Sequence, residues 1–328
     1  MAKKVKTPEE YQASMEKKVA KRTLFFGTFR KALALFLGIA FTFAMVQIAF
    51  TKGDGTVSTG SSQSEVTTEQ KKVDLAGDES TVAEGETVTD AQGNVTVGLS
   101  KADAVKLLND ATAKAVNAGY DWSRKCYYTD DGALQVKSSS GKDATNDLNE
   151  IIHMVDENAS LGGVVGGFLD ITGKDEPLAA TKAKGSAAAP EGMKDKFLLK
   201  GMTLTENDVA QFVQTGDVYK FQINSCSDPK KGADNALAHV TNDFVTQEEV
   251  ATDIANALGS LSRLISVQSS SIQFSEIVIV AEIKGGSLTS LSFSYLMDVK
   301  SLNLKLTIPT VVGSGKGKVE TTYDKFVY

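Results

Sequence analysis

Ile277-Val278-Ile279-Val280-Ala281-Glu282-Ile283-Lys284-Gly285-Gly286 is the stretch that decides the fold. Ile277, Ile279, Ala281 and Ile283 recur at every second position up to a Gly-Gly pair, the pattern of a half-buried strand entering a tight turn. Beyond the turn Leu291, Phe293, Tyr295, Met297 and Val299 alternate, and Leu302, Leu304, Leu306 and Ile308 resume on the opposite parity. Successive side chains of a strand point to opposite faces, so this switch requires a bulge or tight bend near Lys300-Ser301. A last strand is expected from about Lys318 to Val327, after a hairpin loop at Gly313-Ser314-Gly315-Lys316-Gly317-Lys318. That glycine-lysine run lacks the spacing and the following Ser or Thr of a phosphate-binding loop.

A sheet with one apolar face needs a cover. Thr246-Gln247-Glu248-Glu249 is a capping box, and Val250, Ile254, Ala257, Leu258, Leu261 and Leu264 form one helical stripe behind it. Ser100-Lys101-Ala102-Asp103 is a second capping signature, followed by Val105, Leu108, Ala111, Ala115 and Val116 until Gly119 stops the helix. Between these lie an expected strand pair, 120–128 and 133–137, joined across Thr129-Asp130-Asp131-Gly132, and a helix over 147–155. The expected class is α+β: a curved antiparallel sheet packed on amphipathic helices.

Upstream the chain changes character. Ala32 to Phe50 is an apolar run with only Thr42 and Gln47 as polar members, which as a helix covers the roughly 30 Å of a bilayer core. Lys3, Lys4, Lys6, Lys17, Lys18, Lys21, Arg22, Arg30 and Lys31 precede it, so the positive-inside rule puts the amino end in the cytoplasm. A cleavable signal peptide shares this order but normally fits in about 15–30 residues and ends in a small-x-small site. Here the run starts late and its exit, Gln47-Ile48-Ala49-Phe50, has no such site. An uncleaved anchor is expected, with Thr7-Pro8-Glu9-Glu10 starting a cytoplasmic helix. The resulting division is a basic cytoplasmic segment (1–31), a transmembrane helix (32–51), a disordered acidic stalk rich in Thr, Ser and Gly (52–98) and an extracytoplasmic α+β domain (99–328).

Composition narrows the function. After Lys52 there are 25 basic and 38 acidic residues, a formal net charge of −13 that disfavours nucleic acid and anionic surfaces as partners. The only histidines, His153 and His239, lack metal-ligand spacing, and no nucleophile motif adjoins them. No cofactor and no catalysis are expected. Leu161-Gly162-Gly163-Val164-Val165-Gly166-Gly167-Phe168-Leu169 follows a helical pattern, the wrong context for a dinucleotide loop, and reads as close backbone packing or an apolar lid. Cys126 and Cys226, both on expected strands outside the membrane, are placed to form a disulfide if not kept as buried thiols.

The order of helix and long strands, in 246–264, 272–308 and the ending Thr321-Thr322-Tyr323-Asp324-Lys325-Phe326, resembles bacterial extracytoplasmic domains in which a sheet wraps around helices. These are the LolA and LppX lipoprotein-carrier half-barrels and the tubular lipid-binding proteins. The basic head, anchor and acidic stalk are similar to those of membrane-anchored surface proteins of Gram-positive bacteria. The chain departs from the lipoprotein carriers in having no acylated cysteine, which counts against shuttling of lipid. Fold likeness does not establish a site, which is argued from the residues: an open sheet would build its concave face from Phe274, Ile277, Ile279, Phe293, Tyr295, Met297 and Leu304, with Val164, Val165 and Phe168 as lid, an expected apolar-ligand pocket. The same residues packed as core are the competing reading. Two functions follow: a tethered module that binds a lipid or other apolar envelope component, or a surface adhesion or scaffold domain with a filled core and a protein or glycan partner. An envelope enzyme ranks third.

Overall fold

The computed structural model describes residues 72–328 except 76–80, 90–94, 131, 133, 139, 154–169, 229–234, 247, 251, 253–255, 257–264 and 307–309. All of these belong to one of two compact units, Val66–Tyr328. The expected basic head and transmembrane helix lie outside the described residues. Among the described residues no helix is long and apolar enough to cross a membrane.

A nine-stranded antiparallel sheet dominates the unit, with few helices. Its spine is β9 (Ile265–Lys284), β10 (Ser287–Leu306) and β11 (Thr310–Val327). At about 3.3 Å per residue the 20-residue strands run some 65 Å. Gly285 and Gly286, at φ 56° and 70°, close the β9–β10 hairpin with the two positive dihedrals that a twist-compatible two-residue turn demands. On one side β11 pairs with β3 (Gly119–Tyr128), which pairs with the edge strand β5 (Leu178–Lys182). On the other, β9 pairs with β7 (Val218–Ile223), and β7 with β6 (Val209–Thr215). The pairing shifts by one residue at Val299–Leu302, where the parity switch requires a bulge.

One face of this sheet is sealed. Tyr120, Trp122, Arg124 and Cys126 of β3 are buried at alternate positions, as are Val319, Thr321 and Tyr323 of β11 and Leu291, Phe293 and Tyr295 of β10. Helix α1 (Lys101–Ala115) covers part of it with Ala104, Val105, Leu108 and Ala111. Its expected cap is present, with Ser100 Oγ accepting from the Asp103 amide, and Lys182 Nζ donates to the Val116 and Ala118 carbonyls beyond its other end. A strap over 193–204 buries Phe197, Leu199, Met202 and Leu204. Asn109 of α1 clamps it by donating to the Leu204 carbonyl at 2.8 Å and accepting its amide at 3.1 Å. Tyr120 Oη accepts from the Leu199 amide and Tyr323 Oη donates to the Phe197 carbonyl, so sheet, strap and helix are tied by hydrogen bonds as well as apolar contact.

Four expectations need correction. Residues 120–128 and 133–137 do not form a hairpin: β3 and β4 (Gln135–Ser138) both pair with β11, end to end, because the intervening loop bulges out and rejoins the same line. A Cβ on Gly132 would sit 2.1 Å from the Lys316 carbonyl oxygen, so that close approach requires glycine. Residues 313–318 are strand rather than loop, since β11 begins at Thr310. The stalk does not stay free up to residue 98. Val73 donates to Gln222 Oε1, Val82 to the Gln214 carbonyl and Leu99 to Gln214 Oε1, and β1 (Thr87–Thr89) pairs with β2 (Val95–Val97). The buried Gln222 and Gln214 side chains recruit this polar segment to the β6–β7 side of the sheet. The helix expected over 147–155 begins earlier, at Thr145, whose amide is capped by Asp143. The capping box at Thr246 and Glu249 is made as expected, and most of the helix behind it lies outside the described residues.

Candidate functional site

The described residues expected to line an apolar pocket lie in the hydrophobic core. Phe274, Ile277 and Ile279 are 0% exposed, and Phe293, Tyr295 and Met297 no more than 4%. Phe274 meets Tyr295 edge to face at 5.7 Å between ring centres, and the Tyr295 hydroxyl donates to the Asp243 carbonyl. Six of the ten candidate pocket residues are therefore core. Val164, Val165 and Phe168 lie outside the described residues, as does the side chain of Leu304.

Within this core sits a polar island. Arg124 and Asp243 are 3% and 2% exposed, joined in a bidentate pair at 2.7 and 3.1 Å. A third guanidinium nitrogen donates to the Asp170 carbonyl, and the Phe197 ring lies 4.6 Å from the guanidinium with Trp122 stacked on it. Burial alone would lower the arginine pKa, but the adjoining carboxylate outweighs it and holds the cation firmly charged. Burial pushes the neighbouring Cys126 thiol up to about 11, so it is not a thiolate at neutral pH. The island is charged, satisfied and shut off from solvent, which suits it to fixing the register of the layers.

The other face of the same strands is open. Its side chains include Ser123 of β3, Thr181 of β5, Thr322 of β11 and Ser290, Ser292 and Ser294 of β10, all at least partly exposed. A depression of about 370 Å³ lies on this face, lined by Asp121, Ser123, Ala179, Thr181, Thr322, Asp324 and Lys325 and by the strands beneath. Asp121 accepts from Lys325 Nζ at 2.7 Å and from the Thr181 hydroxyl at 2.6 Å. Those two hydrogen bonds hold its carboxyl below the usual range.

Lys325 owes its place to a bulge. From Asp324 opposite Asp121 to Val327 opposite Gly119, β11 advances three residues while β3 advances two. Plain alternation after the buried Tyr323 would turn Lys325 inward and Phe326 outward. The extra residue, with Lys325 at φ 51°, reverses them: the lysine reaches over Asp121, and Phe326 packs 5.8 Å from Tyr120. Sequence reasoning missed this site, although the order Tyr-Asp-Lys-Phe breaks the period of two and carried the signal.

Cys126 and Cys226 are both free, with β11, β10 and β9 standing between β3 and β8 (Cys226–Ser227) in the sheet, so the expected disulfide is not formed. His239 Nδ1 lies 2.9 Å from Asp208, tying the short helix Ala236–Val240 to the turn before β6. Among the described residues no group of three or more His, Cys, Asp or Glu is placed to hold a metal ion. Comparisons with family models, with curated proteins and with solved structures return no match to this chain.

Proposed function

We propose that this chain is a single-pass membrane protein whose extracytoplasmic domain acts as a surface adhesion or scaffold module, engaging a protein or glycan through the open face of its sheet. The observation that carries this reading is the contrast within β3, β10 and β11, whose inward side chains are packed solid while the outward ones form a hydroxyl-rich surface with a depression. A lipid carrier needs an apolar cavity, and the six described side chains proposed to line one are in contact with their neighbours instead. The anchor at 32–51 supplies attachment. The acidic segment after it supplies distance from the membrane, shortened by the part that docks on the sheet.

Two measurements test it. Protease added to intact cells removes the domain; survival on intact cells with loss after lysis inverts the topology and ends the proposal. Thr322→Arg and Ser292→Arg, which place bulky charge on the open face, abolish cell-surface attachment, whereas Ile279→Val in the core leaves it intact. Equal attachment by all three variants contradicts the assignment of that face.

A further inference from the structure

We propose that the depression over β5, β3 and β11 is a subsite for an uncharged saccharide, an inference that rests on the outer-face reading above and names its partner class. The Asp324 carboxylate and the Ser123 and Thr322 hydroxyls face out with no hydrogen-bond partner among the described residues. Ser123 and Thr322 are directly opposed across β3 and β11, and Asp324 follows two residues along the same face. The three are within about 5–8 Å of one another. Each hydroxyl both donates and accepts, and the carboxylate accepts only, so the set matches a ligand rich in hydroxyl groups.

Charge selects among such ligands. Asp121 is already engaged by Lys325 and Thr181, leaving two carboxylates against one ammonium at the site, within an acidic domain. Phosphate, uronate and other anionic groups are disfavoured there. Peptides are captured by apolar anchor pockets or by an open strand edge, whereas the apolar side chain offered inside the depression is the small Ala179, since Ala180 is paired with the inward-facing Trp122. At about 370 Å³ and open to solvent, the site is at the small end of ligand pockets and suits a sugar unit or two of a longer chain. The bulge explains why the lysine is there at all: it removes a cation from the core and immobilises Asp121, so that Asp324 remains the free acceptor.

The test uses the full chain in lipid nanodiscs, applied to arrays of neutral hexose and N-acetylhexosamine oligosaccharides, of uronate and phosphate oligosaccharides, and of peptides. Retention on neutral saccharides is expected, weakened about tenfold or more by Asp324→Asn and about threefold or more by Thr322→Val, with Lys106→Ala, on the exposed side of α1, unchanged as a control. Retention only on anionic saccharides, retention insensitive to Asp324→Asn and Thr322→Val, or no retention on saccharides overturns the proposal. If peptides alone are retained and Thr322→Val releases them, the saccharide subsite falls while the adhesion reading stands. If retained ligands are indifferent to every outer-face variant, both fall.

Discussion

Phe293 and Ser292 are chain neighbours on β10, yet the first is 3% exposed against the strap and helix and the second faces the open side. The same contrast repeats across the sheet, where Trp122 lies beside Ser123 and Tyr323 beside Thr322. One backbone thus carries two surfaces under different constraints: the inner selects volume and satisfied polarity, the outer selects unspent hydrogen-bonding capacity. The sharpest way to break this contrast is to truncate both neighbours. Phe293→Ala removes a ring from a packed core and lowers stability by about 3–5 kcal/mol, whereas Ser292→Ala stays within about 0.5 kcal/mol. Urea unfolding of the two variants measures it, and a Ser292→Ala cost near that of Phe293→Ala means that the open face is covered.

The polar island tests whether the inner face tolerates charge only in pairs. Arg124→Met strands Asp243 in the core and costs about 3–5 kcal/mol, because the remaining carboxylate loses its counter-charge and two hydrogen bonds. Adding Asp243→Leu removes the orphan and recovers more than half of that loss. A double variant as unstable as the single one identifies the pair as a packing element rather than an electrostatic one.

These residues also mark how far the sequence could be read. The long strands, the Gly285-Gly286 turn and the bulge near Lys300 were legible because period-two alternation and its interruption are local facts. A second interruption was overlooked. Phe274 and Ile277 both point inward only because Glu276, at φ 49°, is inserted as a bulge where β9 advances three residues against two of β10. The pairing of β4 with β11 could not be read locally, since it depends on which distant strand receives the chain after Gly132. Alternation also identifies an inward face while staying silent about what lies against it. Here α1 and the strap over 193–204 do so, and the strap has no periodic signature, its hold on α1 coming from Asn109 and Thr112. The outer-face depression is assembled from β5, β3 and β11, segments some 60 and 200 residues apart in the chain.

Alkaline pH separates the two faces by a different route. The Cys126 thiol is raised from 9.0 to about 11 by burial, so the folded chain holds that proton more tightly than the unfolded chain. Its contribution is complete below pH 9 and is lost as pH rises toward 11, a decline of up to about 2–3 kcal/mol. Tyr295 and Tyr323, pushed well above 10 by burial, act in the same direction at higher pH. Urea midpoints at pH 8, 9.5 and 11 follow the decline, and Cys126→Ala removes its first part. A flat profile between pH 8 and 11 means that the thiol is not sealed in the core.

The smallest effect belongs to the bulge. Lys325→Met leaves the extra residue in β11 but deletes the ammonium that hydrogen-bonds to Asp121. Because the lysine side chain is 76% exposed, the melting temperature is expected to stay put, and the change appears in titration instead. Asp121, held low mainly by Lys325 and then by Thr181, titrates closer to the ordinary carboxylate range in the variant, read by carbon-detected NMR of its carboxyl between pH 2 and 6. Any stability that the lowered carboxyl contributes in the native chain is present above its unfolded value and lost as pH falls through its folded one, so the variant is less sensitive to acid. Saccharide retention tells whether the pair has a second duty. If Lys325→Met weakens retention while the melt is unchanged, the lysine fixes Asp121 and contacts the ligand; if retention is unchanged, Asp324, Ser123 and Thr322 bind without it, and the bulge serves only to keep a cation out of the core.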